Sequence, residues 1–343
     1  MIGAGPTGVT AALDIFNAGL KVVLVHRPGK DPCAVGRAET VHAATLASLK
    51  RSGIEISALR QAVSPLEGVT SKWGNGDVFN EVADQRFVIT RALFDDCLLA
   101  AARMLGVPIV DGAVEAIDNT GGQLTVVLRD GRSLAASFVL DATGRSAKWA
   151  HRFGAKENKI DTLTALSATY SAPELKKILV VEAVEDGWFS SVPDLKDGRQ
   201  VTFFTDRTVI GTSHGRRDLL LARLSETSLL RHLSGQNPHE PPKLWAADLK
   251  TLDQSARSNL IAIGDAAQTI DPLSGSGMTA AIHNGRSAAN AIIAHRHSGR
   301  TLSSLEHSRR AEFENHLRLR AAYYNVENRF AQGRFWTARR TCV

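Results

Sequence analysis

Three stretches of this sequence hold residue types at spacings that do chemistry. The first is Gly3-Ala4-Gly5-Pro6-Thr7-Gly8, three glycines in a turn between a short apolar stub and a helical pattern. Such a turn binds a pyrophosphate. Gly3 permits the tight bend, Gly5 lets the backbone approach the phosphates, and Gly8 lets the helix pack on the strand. The free N–H groups and positive dipole at the helix start then meet the negative charge, with Pro6 and Thr7 as its first residues. The second stretch is Leu260-Ile261-Ala262-Ile263-Gly264-Asp265, followed by Asp271-Pro272-Leu273-Ser274-Gly275-Ser276-Gly277-Met278. Here a strand delivers a carboxylate that accepts hydrogen bonds from a polyol. Glycines then open a helix whose N-terminus favours an electron-rich, anionic ring. The third is a substitution. Where a dinucleotide fold carries an acid for a ribose hydroxyl, this chain has His26 and then Arg27. An imidazole lacks the charge-assisted bond, so His26→Glu is expected to tighten binding by about 1 kcal/mol.

The elements that must position these residues follow from periodicity and punctuation. Met1-Ile2 reads as the stub of a strand, a helix runs through Ala18 to Gly19, and 21–25 reads as a buried parallel strand. Residues 37–52 read as helix, 69–79 and 85–90 as strands, and 93–105 as a helix capped by Gly106. Strands follow at 107–110, 112–118, 124–129 and 133–141, with Asp130-Gly131 as a hairpin turn. The span 162–212 is strand-rich, as a mostly antiparallel sheet requires. Residues 219–233 read as helix, 260–264 as a strand, 278–295 as helix, and the chain beyond Ser303 as helical.

Composition sets limits. A chain of 343 residues with 43% apolar and 22% charged residues is an ordinary globular protein, of two domains or one elaborated α/β domain. It has no long apolar span and no secretory leader pattern. Three dispersed cysteines, Cys33, Cys97 and Cys342, give no disulfide framework, so a cytoplasmic location is expected. The histidines His42, His151, His214 and His283 have no metal-ligand spacing, so no metal is expected. Nothing in the pattern points to nucleic acid or to a membrane. The formal charge of +6 is unevenly placed, since residues 286–343 hold eleven arginines, four glutamates and no lysine. Glu306, Glu312 and Glu314 interleave with these arginines as helix pairs do. The basic segment, through Arg309, Arg310, Arg318 and Arg320, is also the natural feature to steer an acidic protein.

Taken together, GAGPTG at the start, Arg91 in TRALFDDCL, DATGRS at 141–146 and GDAAQTIDPLSGSG at 264–277 resemble the FAD-dependent monooxygenases of the p-hydroxybenzoate hydroxylase fold group. The resemblance runs in order along nearly the whole chain. It implies an α/β fold in which a Rossmann-like, glutathione-reductase-type FAD domain carries an inserted, mostly antiparallel substrate domain and a helical C-terminal segment. The expected division is 1–70, 86–160 and 246–300 for the FAD domain, 71–85 and 161–245 for the substrate domain, and 301–343 for the tail. By resemblance, Gly3, Gly5, Pro6, Thr7 and Gly8 hold the pyrophosphate, with His26 and Arg27 at the ribose. Arg37, beside Glu39, and Arg91 line the cofactor, and Asp265 bonds the ribitol. Pro272, Gly275, Gly277 and Met278 lie against the flavin ring. No Cys or His sits in a flavin-attachment motif, so the FAD is expected to be noncovalent.

The block Gly187-Trp188-Phe189-Ser190-Ser191-Val192-Pro193, with Phe203-Phe204-Thr205-Asp206, resembles the flavin-dependent halogenase-like branch. Tyr323-Tyr324-x-x-Glu327-x-Arg329-Phe330, with Phe335-Trp336, is similar to the tail of flavoproteins that make tryptophylquinone cofactors. Aromatic packing is the plainer account of that tail. The resemblance implies hydroxylation of an electron-rich aromatic ring through a flavin C4a-(hydro)peroxide, with O₂ as co-substrate and NAD(P)H as transient reductant. The expected target is a tryptophan in a precursor polypeptide. A small-molecule aromatic substrate, a halogenase and a non-catalytic flavoprotein that binds a precursor remain as alternatives. Ser190 replaces a tryptophan of the halogenase W-x-W-x-I-P block, which demotes halogenation. Two residues are catalytic candidates. Lys72, before Trp73-Gly74, lies in a region broadly similar to the one in which halogenases carry a lysine, although a strand-edge lysine is the commoner case, and His214 follows the Thr-Asp strand without a visible partner.

Overall fold

The structure is a computed structural model that describes residues 1–29, 37–83, 85–175, 177–194, 198–211 and 215–341. His214, Cys33 and Cys342 lie outside the described residues. The chain begins with Ile2, bridged in parallel to Val25 and Asp141, and helix α1 (Pro6–Asn17). Next come β1 (Leu24–His26), β2 (Ala38–His42), α2 (Ala43–Lys50), β3 (Val63–Pro65), β4 (Gly68–Lys72), β5 (Val78–Val82) and β6 (Arg86–Thr90). Helix α3 (Arg91–Met104) leads to β7 (Ile109–Asp111), β8 (Val114–Thr120), β9 (Gln123–Leu128), β10 (Ser133–Ala136), β11 (Val139–Asp141) and α4 (Lys148–Arg152). Then β12 (Glu157–Lys159), β13 (Leu163–Tyr170), β14 (Ile178–Val184), β15 (Gly187–Pro193) and β16 (Arg199–Asp206) precede α5 (Arg207–Ile210) and α6 (Arg216–Ser225). The remainder is β17 (Lys243–Ala246), β18 (Lys250–Leu252), β19 (Ala256–Arg257), β20 (Leu260–Ala262), α7 (Gly277–Ser298), α8 (Ser303–Val326) and α9 (Arg334–Arg340).

Ile2 joins two strand pairs into one parallel sheet. β7 pairs with β1, Ile2 bridges β1 to β11, and β11 pairs with β20. This is the doubly wound order, and the carboxyl ends of its strands make the crevice in which such sheets bind ligands. Helices α1, α3 and α7 cover it, with Val9, Leu13, Leu98, Met278 and Ile282 in one core. Glycine sets the closeness of the packing. A Cβ on Gly285 would run into the Thr7 backbone, so α1 and α7 touch main chain to side face.

The second large element is a seven-stranded sheet in the order β17-β13-β16-β15-β14-β4-β5, which draws on residues 68–82 and 163–246. It is antiparallel except where β4 runs alongside β14. One face packs Val180, Val184, Phe189 and Phe203 against Leu220 and Leu224 of α6. The other packs Leu179, Val181 and Val192 against Ala38, Leu66 and Val88. The fold is therefore the mixed α/β architecture expected, with helices α8 and α9 closing the structure.

Several boundaries differ from the periodicity. Residues 38–42 are a strand, because β2 pairs with β6, and only Ala43 onward is helical. Tertiary pairing outweighs local helix preference there. Helix α6 stops at Ser225, where the Thr227 hydroxyl bonds the Leu224 carbonyl and Glu182 accepts from the Ser228 and Leu229 N–H groups. The tail is not one helix. Between α8 and α9 the buried Glu327 carboxylate takes the backbone N–H and guanidinium of Arg329, which turns the chain. No described helix is long and apolar enough to cross a membrane.

Candidate functional site

The glycine turn and the Asp265 loop meet. Gly3 has φ +107, a conformation closed to most residues, and a Cβ there would strike the Ala142 carbonyl. A Cβ on Gly8 would collide with the Gly3 carbonyl, and one on Gly264 with the Thr7 side chain. Gly5 is different, with open space where its Cβ would project. The turn is thus tight against the protein at Gly3 and Gly8 and free on its outer side at Gly5. Asp141 of the DATGRS stretch is structural. It is fully buried and accepts from Thr143 N and Oγ1 and from the N–H groups of Trp149 and Ala150, at 2.6–3.0 Å.

On the opposite wall, Asp265 is exposed and has no side-chain hydrogen bond among the described residues. It faces Arg91, whose guanidinium also holds Asp95 at 2.9 Å and Glu39 at 3.2 Å. Arg37 Nε donates to Glu39 at 2.6 Å. Burial pushes the Glu39 carboxyl up, but the charges and hydrogen bonds of Arg37 and Arg91 outweigh it and hold it at about 2. Asp95 goes the other way, pushed up to about 6 by burial that Arg91 only partly offsets. The Gln200 side chain, from β16, accepts the Ala38 N–H at 2.6 Å and pins this edge to the seven-stranded sheet.

The loop from Asp271 is fixed from behind by the tail. Asp271 is 1% exposed and accepts from Arg320 Nε at 2.9 Å and the Tyr324 hydroxyl at 3.2 Å. Its backbone N–H donates to His316 Nε2 at 2.8 Å, so that nitrogen carries no proton, and burial lowers the His316 pKa accordingly. Arg320 also reaches Asp161 at 2.5 Å, and Arg339 bonds Asp206 at 2.6 Å. Leu273 of the loop packs on Trp188, Tyr324, Phe335 and Trp336. Trp73 meets Trp336 edge-on at 5.2 Å, and Trp188 stacks on Phe204 at 4.0 Å. Gly275 and Gly277 are exposed, and α7 starts without a side-chain cap. Met278 is buried in the core, which leaves only its backbone to face the crevice.

These placements revise two expectations. Arg309 and Arg320 are 6% and 3% exposed and lie in internal ion pairs, so they do not form a steering surface; Arg310 and Arg318 are exposed. Lys72 stands opposite Glu182 on the sheet face that packs on α6, and its ammonium donates to Ser228 Oγ at 2.8 Å. The β2–β6 edge meets the other face, so Lys72 points away from the crevice. Sequence reasoning missed Asp111, Asp95, Gln200 and the His316–Arg320–Tyr324 group. For Asp111 a signal exists, since it closes a parallel strand beside β1. For Asp95 a signal exists too, since it follows Arg91 by four residues on α3; for Gln200 and the His316 group the partners are remote in the chain.

The residues present fit FAD. Two uncapped helix starts, each with a glycine whose Cβ direction is empty (Gly5 and Gly277), border one crevice with the Asp265 carboxylate, which faces Arg91 and has no side-chain hydrogen bond among the described residues. The comparisons agree. A family model described as an FAD binding domain matches residues 1–318, and the chain belongs to that family. LodB of Marinomonas mediterranea, whose name assigns it as an FAD-dependent oxidoreductase, is 25% identical over 83% of this chain and 83% of its own. Among solved structures, the peptidyl tryptophan dihydroxylase QhpG, essential for tryptophylquinone cofactor biogenesis, superposes with a TM-score of 0.82 at 23% identity. That match covers 98% of this chain and 77% of QhpG. The flavin-dependent halogenase CmlS gives 0.86 at 21% identity over 99% of this chain and 66% of its own. BrvH, a flavin-dependent halogenase from Brevundimonas sp. BAL3, gives 0.80 at 14% over 100% and 81%. At these identities the structural likeness is one of fold. The chain is a member of the FAD binding domain family, with the fold shared by these flavin-dependent hydroxylases and halogenases.

Proposed function

We propose that the protein is an FAD-dependent aromatic monooxygenase, and that its substrate is a tryptophan side chain in a precursor polypeptide. In this reading Gly3–Gly8, with Pro6 and Thr7 at the helix start, cradle the pyrophosphate, and His26 and Arg27 meet the adenosine. Arg37, Arg91 and Asp265 face the ribitol, and Pro272, Gly275, Gly277 and the Met278 backbone border the ring. The FAD domain is 1–70, 86–160 and 246–300, although the 70/71 boundary falls within β4. The protein acts in the cytoplasm. Bound FAD supplies oxygen activation, with O₂ and NAD(P)H consumed and water and NAD(P)⁺ released for each oxygen atom placed on the ring.

The chain's own residues then orient and shield. The α7 N-terminus opposes developing negative charge, and the Trp73–Trp188–Tyr324–Trp336 cluster keeps water from behind the Asp271 loop. The observation that carries hydroxylation over halogenation is Lys72, whose ammonium is turned to Ser228 and away from the crevice. The polypeptide substrate is supported by the tail, whose Tyr324 and Trp336 are built into the wall of the Asp271 loop. The test is incubation with FAD, NAD(P)H and ¹⁸O₂ alongside a tryptophan-bearing precursor polypeptide, free tryptophan or bromide. Label in the polypeptide tryptophan is expected. Turnover of free tryptophan alone would move the assignment to a small-molecule hydroxylase, and a brominated product to a halogenase. Bound FAD without nicotinamide oxidation would leave a binder.

A further inference from the structure

On the reading that the crevice holds FAD, we propose that Asp111 is a positioning residue that makes His26 do the work of the missing ribose-binding carboxylate. β1 and β7 run parallel with His26 and Asp111 in register, and His26 Nδ1 lies 2.9 Å from an Asp111 carboxylate oxygen. Arg103 Nη2, from α3, bonds both Asp111 oxygens at 2.9 and 3.0 Å, and Arg132 donates to the Asp111 backbone carbonyl at 2.6 Å. The hydrogen bond from His26, together with Arg103, holds the Asp111 carboxyl below the usual carboxylate range. An ionised carboxylate only accepts, so the proton of this bond resides on Nδ1. In the neutral ring Nε2 then carries a lone pair. That nitrogen presents an acceptor at the end of β1, the kind of group a glutamate would present there to a ribose hydroxyl.

This arrangement reverses the expectation drawn from the sequence alone. Glutamate at position 26 would stand in register with Asp111, and two neighbouring carboxylates repel. His26→Glu by itself is therefore expected to weaken FAD binding rather than tighten it. Removing Asp111 at the same time should restore it.

The experiment measures FAD dissociation constants by flavin fluorescence for wild type, D111A, D111N, H26E and H26E/D111A, with melting temperatures as a check on folding. Asp111 is half-exposed, so the fold is expected to persist in every variant. D111A should weaken FAD about fivefold, the scale of one hydrogen bond, and D111N should stay near wild type because its amide oxygen still accepts. H26E should weaken binding and H26E/D111A should recover it. Imidazole ¹⁵N shifts of the FAD-free protein should show the proton of His26 on Nδ1 in wild type and D111N, moving toward Nε2 in D111A. Wild-type affinity in D111A, or tighter binding in H26E alone, would overturn the positioning role while FAD binding stands. A folded wild type that binds no FAD would overturn the flavin reading and this role with it.

Discussion

The two walls of the crevice are built by opposite means. At the α1 wall the geometry is made by absence: Gly3, Gly5 and Gly8 have no side chains, and the backbone itself forms the surface. At the α7 wall the geometry is made by side chains from elsewhere. Asp271 is gripped by Arg320, Tyr324 and His316, and Arg320 and Arg339 tie the same helices to Asp161 and Asp206. The difference teaches where ligand binding and folding can be separated. A backbone surface can be blocked without unfolding the protein, whereas a buried charge cluster cannot be opened without cost to the whole.

Arg320→Ala sharpens that contrast most. It leaves Asp271 as a buried carboxylate without its cation and Asp161 with only Arg339 at 3.8 Å, and a loss of about 3–5 kcal/mol is expected in urea denaturation. Gly8→Ala comes next, because its Cβ meets the Gly3 carbonyl; a loss of about 1–3 kcal/mol should accompany loss of FAD. Gly5→Ala probes the open side of the same turn. FAD affinity should fall at least tenfold, about 1.4 kcal/mol, with an unchanged melting temperature. If Gly5→Ala unfolded the protein and Gly8→Ala did not, the account of this wall would be wrong.

A smaller effect tests the tail away from the crevice. Burial pushes the Glu306 carboxyl up, but hydrogen bonds from Arg309, Ser255 and Arg310 outweigh it and hold it at about 2. Its folded pKa is depressed, so its contribution is full above the usual carboxylate range and is lost as pH falls through about 2. Glu306→Gln should cost about 1 kcal/mol at neutral pH, and the deficit should close as wild type is acidified. Least of all, Arg318→Glu on the exposed face of α8 should change stability by less than about 0.5 kcal/mol.

The α1 wall was legible in the sequence because its constraint is local. Gly3 needs a positive φ and Gly8 needs contact with the carbonyl five residues earlier, so the pattern sits within six consecutive residues. Asp265 was legible for the same reason, at the end of an apolar strand beside its own loop. The α7 wall was not, since Asp271 finds His316, Arg320 and Tyr324 at separations of 45, 49 and 53 residues. Arginines that read as a charged surface became internal counter-ions, because nothing in the spacing says which of them faces Asp161 or Asp271. His26 looked deficient for a related reason. Its carboxylate stands 85 residues away on the neighbouring strand.

The grip of α8 and α9 on the Asp271 loop also orders events during synthesis. Asp161, Asp206 and Asp271 leave the ribosome before Arg320 and Arg339 exist to neutralise them. At about 5–20 residues per second, the interval between Asp271 and Arg339 is roughly 3–14 s. Until Arg320 is made the nascent chain carries the Asp271 carboxylate, destined for full burial, without its cation, and throughout the interval an aromatic surface around Trp188 lacks Trp336. The parallel sheet has all its strands by then, but the Asp271 loop does not have its supports. A nascent chain stalled before Arg320 should thus expose Trp188 to holdase chaperones, and cofactor capture should coincide with release of the tail.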